Sequence, residues 1–382
     1  MKRKFFFVIL SIFLFVLIIE VIFTLFFVYR QNYYGPLAKF TLREENKIIE
    51  FRIPHNKSTG LMKPGEHIYK NNTIKINSKG YRGDEFNIKN NSNCRFLALG
   101  GSTTLGINSQ KPWPEILQNK LRKNFDNNCE VINTGILGAS LNDIENLFFS
   151  NLKNYKPNYI ILLSNHNSAH YDSYAKGHKK PNIIDNELSY KLFKINNFLF
   201  SNLMTYRFLD LSYKRLIWFF SKNKNELIRN PNNKNIFHSP NYFETNYRVQ
   251  IENLVLFSKR NNIKVILIKQ PRNFETEIYN ELQKKNIQEL LEDFIVYKNF
   301  SNGNEKNDRE KFDIYSNIIL KKNLELIKNK YKEIELVDPV NKFLSKKRIK
   351  KNFLDDDLHY TQEGNYLMAE EIYKKILKYF NK

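Results

Sequence analysis

From Arg95 onward, short apolar runs alternate with longer stretches of helical periodicity, and no other feature restricts the fold as strongly. The runs occupy residues 96–99, 131–133, 159–163, 265–268 and 335–338. They are too short for helices and are built largely from Val, Ile, Leu and Phe, as strands buried between two layers must be. Helical patterns begin near Pro114, run through Ile144 to Phe148, and recur at 247–257 and 363–379. Strand and helix in alternation predict an α/β domain with a parallel sheet covered on both faces.

Three stretches fall outside this pattern. Residues 5–28 are almost unbroken apolar sequence, preceded by Lys2, Arg3 and Lys4. As a helix rising 1.5 Å per residue, such a run extends about 36 Å, enough to cross a bilayer. A cleaved secretory signal has an apolar region of roughly 7–15 residues ending in small side chains. This run ends Leu25-Phe26-Phe27-Val28-Tyr29-Arg30 instead. The expectation is one N-terminal transmembrane anchor at 1–30, with its basic end in the cytoplasm and the rest of the chain in the extracytoplasmic cell envelope. Residues 31–92 hold short extended pieces and turn signals such as Lys79-Gly80-Tyr81-Arg82-Gly83-Asp84, and read as a stalk and an extension of the main domain. The domain itself is 93–382, interrupted at about 170–245 by an insertion far longer than an ordinary crossover. Within it, 193–220 is rich in Phe, Leu and Tyr, but Arg207, Asp210, Lys214 and Arg215 argue against a second membrane span. A helical cap over the site and ordinary core-forming helices both fit that stretch.

Charge narrows the partners. Lys and Arg number 61 against 39 Asp and Glu, a formal net charge of +22, which draws the protein toward anionic lipid or polysaccharide. The basic residues are spread along the chain without a nucleic-acid-binding module, which speaks against nucleic acid. The densest cluster, Lys346-Lys347-Arg348-Ile349-Lys350-Lys351, stands just before a group of acids and a histidine, where it could steer an anionic substrate. Cys94 and Cys129 are the two cysteines, too few for a disulfide-built scaffold. Each immediately precedes a predicted strand. Two buried free thiols are expected, with a bridge as the alternative if those strands are neighbours.

Residues able to do chemistry follow the strands. The first run breaks into Gly100-Gly101-Ser102-Thr103, and small residues at a strand end leave a serine hydroxyl approachable. After the second run comes Asn133-Thr134-Gly135-Ile136-Leu137-Gly138-Ala139-Ser140, and after the third Ser164-Asn165-His166-Asn167-Ser168. Before the last helix stands Asp355-Asp356-Asp357-Leu358-His359. An Asp-x-x-His loop can supply a general base together with the carboxylate that orients it.

In this order, the four segments resemble the GDSL or SGNH hydrolase superfamily, over the chain from about Arg95 to its end with the insertion interrupting. The resemblance implies a flavodoxin-like three-layer α/β/α fold. It implies Ser102 as nucleophile, His359 as base, Asp356 as its orienting acid, and an oxyanion hole made by Ser102 N–H, Gly138 N–H and the Asn167 side chain. It further implies a serine esterase acting through an acyl-enzyme on ester-linked acyl groups of an envelope carbohydrate or lipid, with no metal and no other cofactor. Were a sugar hydroxyl the acceptor instead of water, the same triad would make an O-acyltransferase. The chain departs from the family pattern at Gly101, where Asp is common, at Asn165, where glycine is usual, and at Ser168, where an acid is usual. The first departure is shared by membrane-linked branches with a Gly-Gly-Ser-Thr block, and residues 76–85 are similar to a stretch preceding the serine block in membrane-attached and exported members.

Two rivals belong to other classes. His166, His170, Asp172 and His178 would suit a metal if their segment were helical, but Asn167 and Ser168 straight after a strand suggest a loop. A non-catalytic glycan-binding protein retaining the fold is the second rival, and the presence of Ser102, Gly138, Asn167, Asp356 and His359 together speaks against it.

Overall fold

The computed structural model describes residues 61–69, 72–88, 93–164, 166–169, 186–203, 246–274, 277–300, 305–345, 349–354 and 356–380, with scattered positions in 7–22 and 205–243. A hairpin of β1 (Gly65–Tyr69) and β2 (Asn72–Ile76) comes first. Then follow β3 (Arg95–Gly100), α1 (Ser102–Leu105), α2 (Trp113–Asn124), β4 (Glu130–Asn133), α3 (Leu141–Ser150) and β5 (Tyr159–Leu163). Helix α4 (Glu187–Asn202) lies in the insertion. The chain continues through α5 (Tyr247–Arg260), β6 (Lys264–Ile268), α6 (Ile287–Phe300), α7 (Glu305–Lys330), β7 (Glu335–Val337) and α8 (Gln362–Ile376).

The five apolar runs are the five strands of one parallel sheet, in the order β4-β3-β5-β6-β7. Strand side chains alternate between two cores, as the period of two requires. Leu97, Leu99, Ile160, Leu162, Val265 and Leu267 face one cluster, completed by Phe148 of α3, Ile251 of α5 and Ile319 of α7. Phe96, Ala98, Ile161, Leu163, Ile266 and Ile268 face the other, completed by Trp113 and Leu117 of α2 and Met368 and Ile372 of α8. Helices on both faces of the sheet make three layers. Helices α6 and α7, between β6 and β7, were not foreseen from the sequence. In α7 the lysines and asparagines that break up the apolar pattern include Lys321 and Asn323, which are buried.

The extension closes the β4 edge of the sheet. Arg82 bridges Ile76 on one side and Asn133 on the other, both antiparallel, so the extension meets the end of β4 at Arg82 and covers the edge there.

One expectation is corrected. Cys94 and Cys129 form a disulfide, with Cα atoms 4.7 Å apart, and the described cysteines include no free thiol. The register explains it: Arg95 pairs with Glu130 in adjacent parallel strands, so the residues just before them stand side by side.

Of the anchor expected at 1–30, positions 7, 10, 11, 14, 15 and 17–22 are described and helical. Among the described residues no helix is long and apolar enough to cross a membrane. The remainder of the apolar run, residues 31–60, residues 170–185 and most of 204–245 lie outside the described residues.

Candidate active site

In the sheet, the second strand of the chain lies on one side of the first and the third on the other. That reversal opens a crevice at the carboxyl ends of β3 and β5, the topological switch point where open α/β sheets place their sites. Ser102 stands two residues beyond β3, at the start of α1, and the segment 166–169 follows β5.

Ser102, His359 and Asp356 meet there in one line of hydrogen bonds. Ser102 Oγ lies 2.7 Å from His359 Nε2, and His359 Nδ1 lies 2.6 Å from Asp356 Oδ2. An ionised carboxylate can only accept, so Nδ1 carries the proton and Nε2 is left to accept from the serine hydroxyl. The other carboxylate oxygen of Asp356 accepts from the backbone N–H groups of Leu358 (3.1 Å) and His359 (2.8 Å). Partial burial works against the Asp356 charge, but the hydrogen bonds from His359 and Leu358 and the nearby imidazole outweigh it and hold this carboxyl well below the usual range. Of the three consecutive acids, Asp356 is therefore the partner of His359. Asp355 lies outside the described residues, and Asp357 has another role. It sits in the left-handed region, φ 56°, where Asn273 clips it by donating its backbone N–H to Asp357 O (3.0 Å) and its amide to Asp357 Oδ1 (2.7 Å). This clip holds the turn that presents His359.

Gly138 and Asn167 are the two residues expected to complete an oxyanion hole with Ser102. Asn167 Nδ2 donates one hydrogen to Ala139 O at 3.0 Å, which fixes the amide and leaves its second N–H for another acceptor. Gly101, Ser102, Ala139 and Asn167 line one small pocket. A Cβ at position 101 would come within 2.6 Å of Asn167 Nδ2, so glycine there is what lets the amide reach the pocket. Gly138 has φ +67° in the turn after β4, and a Cβ there would meet nothing within 4 Å. It borders the pocket through its neighbour Ala139 and is not itself among the lining residues.

Ser168 has a structural role. Ser168 Oγ is buried, accepts from Leu141 N–H at 2.9 Å and lies 3.0 Å from Ser164 Oγ, tying the start of α3 to the turn that carries Asn167. Tyr247 of α5 supports the same turn by donating its hydroxyl to Ser164 O at 2.6 Å. Asn165 lies outside the described residues.

Several residues of this region were not picked out by motif. Gln270, just past β6, accepts from His166 N–H at 3.0 Å and its amide lies 3.5 Å from Thr103 Oγ1, so it joins the Ser102 turn to the Asn167 turn. Its signal in the sequence was a polar residue directly after a buried strand. Arg272 Nη1 lies 3.0 Å from His166 Nδ1 and 3.2 Å from Asp313 of α7. Arg82 is buried and donates to the carbonyls of Leu105 (3.2 Å), Gly106 (2.5 Å), Ser109 (2.8 Å) and Gln110 (2.8 Å), securing the chain that leaves α1. Burial pulls its guanidinium down to about 10, against the opposing charge of Glu115.

Of the residues considered for a metal, His166 is described, while His170, Asp172 and His178 lie outside the described residues. Among the described residues no group of three or more His, Cys, Asp or Glu could hold a metal ion. Lys346, Lys347 and Arg348 of the basic cluster also lie outside them.

Neither a protein-family model nor a curated protein matches the chain. Among solved structures, a GDSL-like lipase of Bacteroides thetaiotaomicron is similar at 13% identity, covering 77% of this chain and 93% of its own, with a TM-score of 0.40. An acetylxylan esterase of Geobacillus stearothermophilus matches at 14% identity over 75% of this chain and 94% of its own, TM-score 0.40. A lipase from a goat rumen metagenome matches at 10% identity over 74% and 97%, TM-score 0.41. At this distance, the reading of the site rests on the chain's own geometry.

Proposed function

We propose that the chain is a serine esterase of the SGNH hydrolase type, and the hydrogen-bonded line Asp356–His359–Ser102 at the switch point is the observation that carries this reading. His359 Nε2 takes the hydroxyl proton as Ser102 Oγ attacks an ester carbonyl. The tetrahedral oxyanion accepts from Ser102 N–H, Gly138 N–H and the second N–H of Asn167, while Asp356 stabilises the imidazolium. The imidazolium returns its proton to the departing alkoxide, leaving an acyl ester on Ser102. Water then attacks that ester with His359 again as base, and releases the acid.

The substrate class we favour is an acyl ester of an envelope carbohydrate or lipid. The apolar run 5–28 supports a membrane-anchored protein, and the net charge of +22 supports an anionic surface or polymer as its working environment. The Cys94–Cys129 disulfide supports an extracytoplasmic domain, because reducing compartments keep such pairs open.

A fluorophosphonate probe and short p-nitrophenyl esters test the reading on the full chain. Wild type is expected to be labelled and to release p-nitrophenol, and Ser102→Ala to do neither while remaining folded. Absence of labelling in folded wild type would reject a serine nucleophile. Adding oligosaccharide acceptors reads the acceptor separately: acyl transfer to sugar in preference to water would make the same site an O-acyltransferase.

A further inference from the structure

Helix α4 turns one apolar stripe away from the protein. Leu188, Leu192 and Ile195 are 67%, 57% and 54% exposed, and with Leu199 their spacing of four, three and four residues sets them along one stripe. Tyr190 lies on the opposite side of the helix. It packs against the core, with its ring 6.4 Å from that of Phe257 and under the Arg260 guanidinium at 4.3 Å. That contact, together with the packing of α4 on α3, fixes which face looks outward. Leu203, Leu209 and Tyr213 are exposed as well.

Two observations say what covers this face. The first is its neighbour: Thr205, two residues beyond Leu203, donates its backbone N–H to Glu20 at 3.0 Å, so the N-terminal helix passes, at Glu20, next to the residues that follow α4. Phe7, Leu10, Leu14, Phe15 and Ile18 of that helix are exposed too. The second is charge. Residues 187–230 contain eight Lys and Arg against three acids, a cationic apolar segment that complements anionic headgroups.

We propose that α4 lies in the interface of an anionic bilayer, its Leu188-Leu192-Ile195 stripe inserted among the lipids, so that the domain is held against the membrane at a second point besides its N-terminal helix. The inference rests on the anchoring of residues 5–28 proposed above. An inserted face of this kind reaches roughly 5–10 Å into the boundary between headgroups and acyl chains.

Nitroxide labels on single introduced cysteines test it in the full chain, reconstituted in phosphatidylcholine–phosphatidylglycerol vesicles, since Cys94 and Cys129 are tied to each other. The positions are Leu192→Cys and Ile195→Cys on the stripe, Lys123→Cys on the opposite layer of the domain, and Leu14→Cys in the N-terminal helix. Labels at 192 and 195 are expected to collide more with oxygen and less with an aqueous nickel complex than the label at 123, at the depth given above. A label at 192 as water-exposed as that at 123, with the label at 14 in lipid, overturns the inference and leaves the anchor standing. A label at 14 in water with 192 in lipid overturns the anchor, and with it the second point of attachment, leaving α4 as the sole contact with lipid. Spin–spin coupling between labels at 192 would show a second copy on the stripe and also overturn the inference.

Discussion

His359 can serve Ser102 only in the tautomer that leaves Nε2 unprotonated, and Asp356 selects that tautomer because its carboxylate has nothing to donate. Asp356→Asn keeps the shape but supplies an amide N–H, which favours the proton on Nε2 and removes the acceptor for the serine hydroxyl. A fall of roughly 10⁴-fold in kcat is expected, with the thermal midpoint far less affected. Steady-state kinetics beside a melting curve read both, and near-normal turnover would sink the assignment of the acid. At this scale much of the candidate site was legible in the sequence: a serine, an asparagine and an Asp-x-x-His follow strands, and topology brings those strand ends together, whereas Gly138 only borders the pocket. Less legible were the residues that act through folded contacts. Nothing local marks Asn273 as the clip on Asp357, or Arg82 as the partner of four carbonyls, because those pairings span the chain.

Elements position Ser102 from both sides, and the extension is as much part of that as the sheet. Arg82→Met would leave the carbonyls of Ser109 and Gln110 without the guanidinium that donates to them, at about 1–3 kcal/mol for each buried group left unsatisfied, while Leu105 O keeps the Asn133 amide and Gly106 O keeps the N–H and hydroxyl of Ser109. A lower thermal midpoint and a lower kcat are expected together, with Arg82→Lys recovering part of each, and an Arg82→Met enzyme of unchanged stability and rate would remove the extension from the site's support. Helix α7 carries the opposite kind of feature. Lys321 is buried on it, with its ammonium 3.0 Å from the Tyr279 hydroxyl, and burial pulls it down to about 7, reinforced by Lys269 and Arg272 and opposed by Asp338. The unfolded chain holds this proton up to about pH 10.5, whereas the folded chain releases it near pH 7. Lys321 therefore destabilises the fold fully below pH 7, and the penalty fades as pH rises toward 10.5. Lys321→Met should raise the melting temperature at pH 7 and change it little at pH 10; an equal change at both would mean the lysine is not desolvated. Such a residue also explains why α7 was missed: a lysine in the buried face disrupts the apolar periodicity by which helices are recognised.

At the scale of the whole molecule, the sheet is assembled from strands far apart in the chain, and its β4 edge is the one fastened covalently. The disulfide joins Cys94 and Cys129 across a separation of 35 residues, binding β3 to the β4 edge strand that also pairs with the extension. Spacing alone could not decide between thiols and a bridge, because the answer depends on β3 and β4 being neighbours, a property of sheet order and not of local sequence. Closing a loop of that size lowers the entropy of the unfolded chain by an amount worth about 4 kcal/mol. The Cys94→Ser, Cys129→Ser double variant should therefore melt several degrees lower, and dithiothreitol should lower the wild-type midpoint toward the same value without moving that of the variant. Ser102 follows the fastened strand, yet its hydrogen bonds to His359 do not pass through the sulfurs, so at temperatures well below either midpoint the variant should retain wild-type ester turnover. A variant that melts with wild type would mean the bridge adds nothing to the fold. One that is stable but inactive would mean the sheet edge holds the catalytic geometry directly.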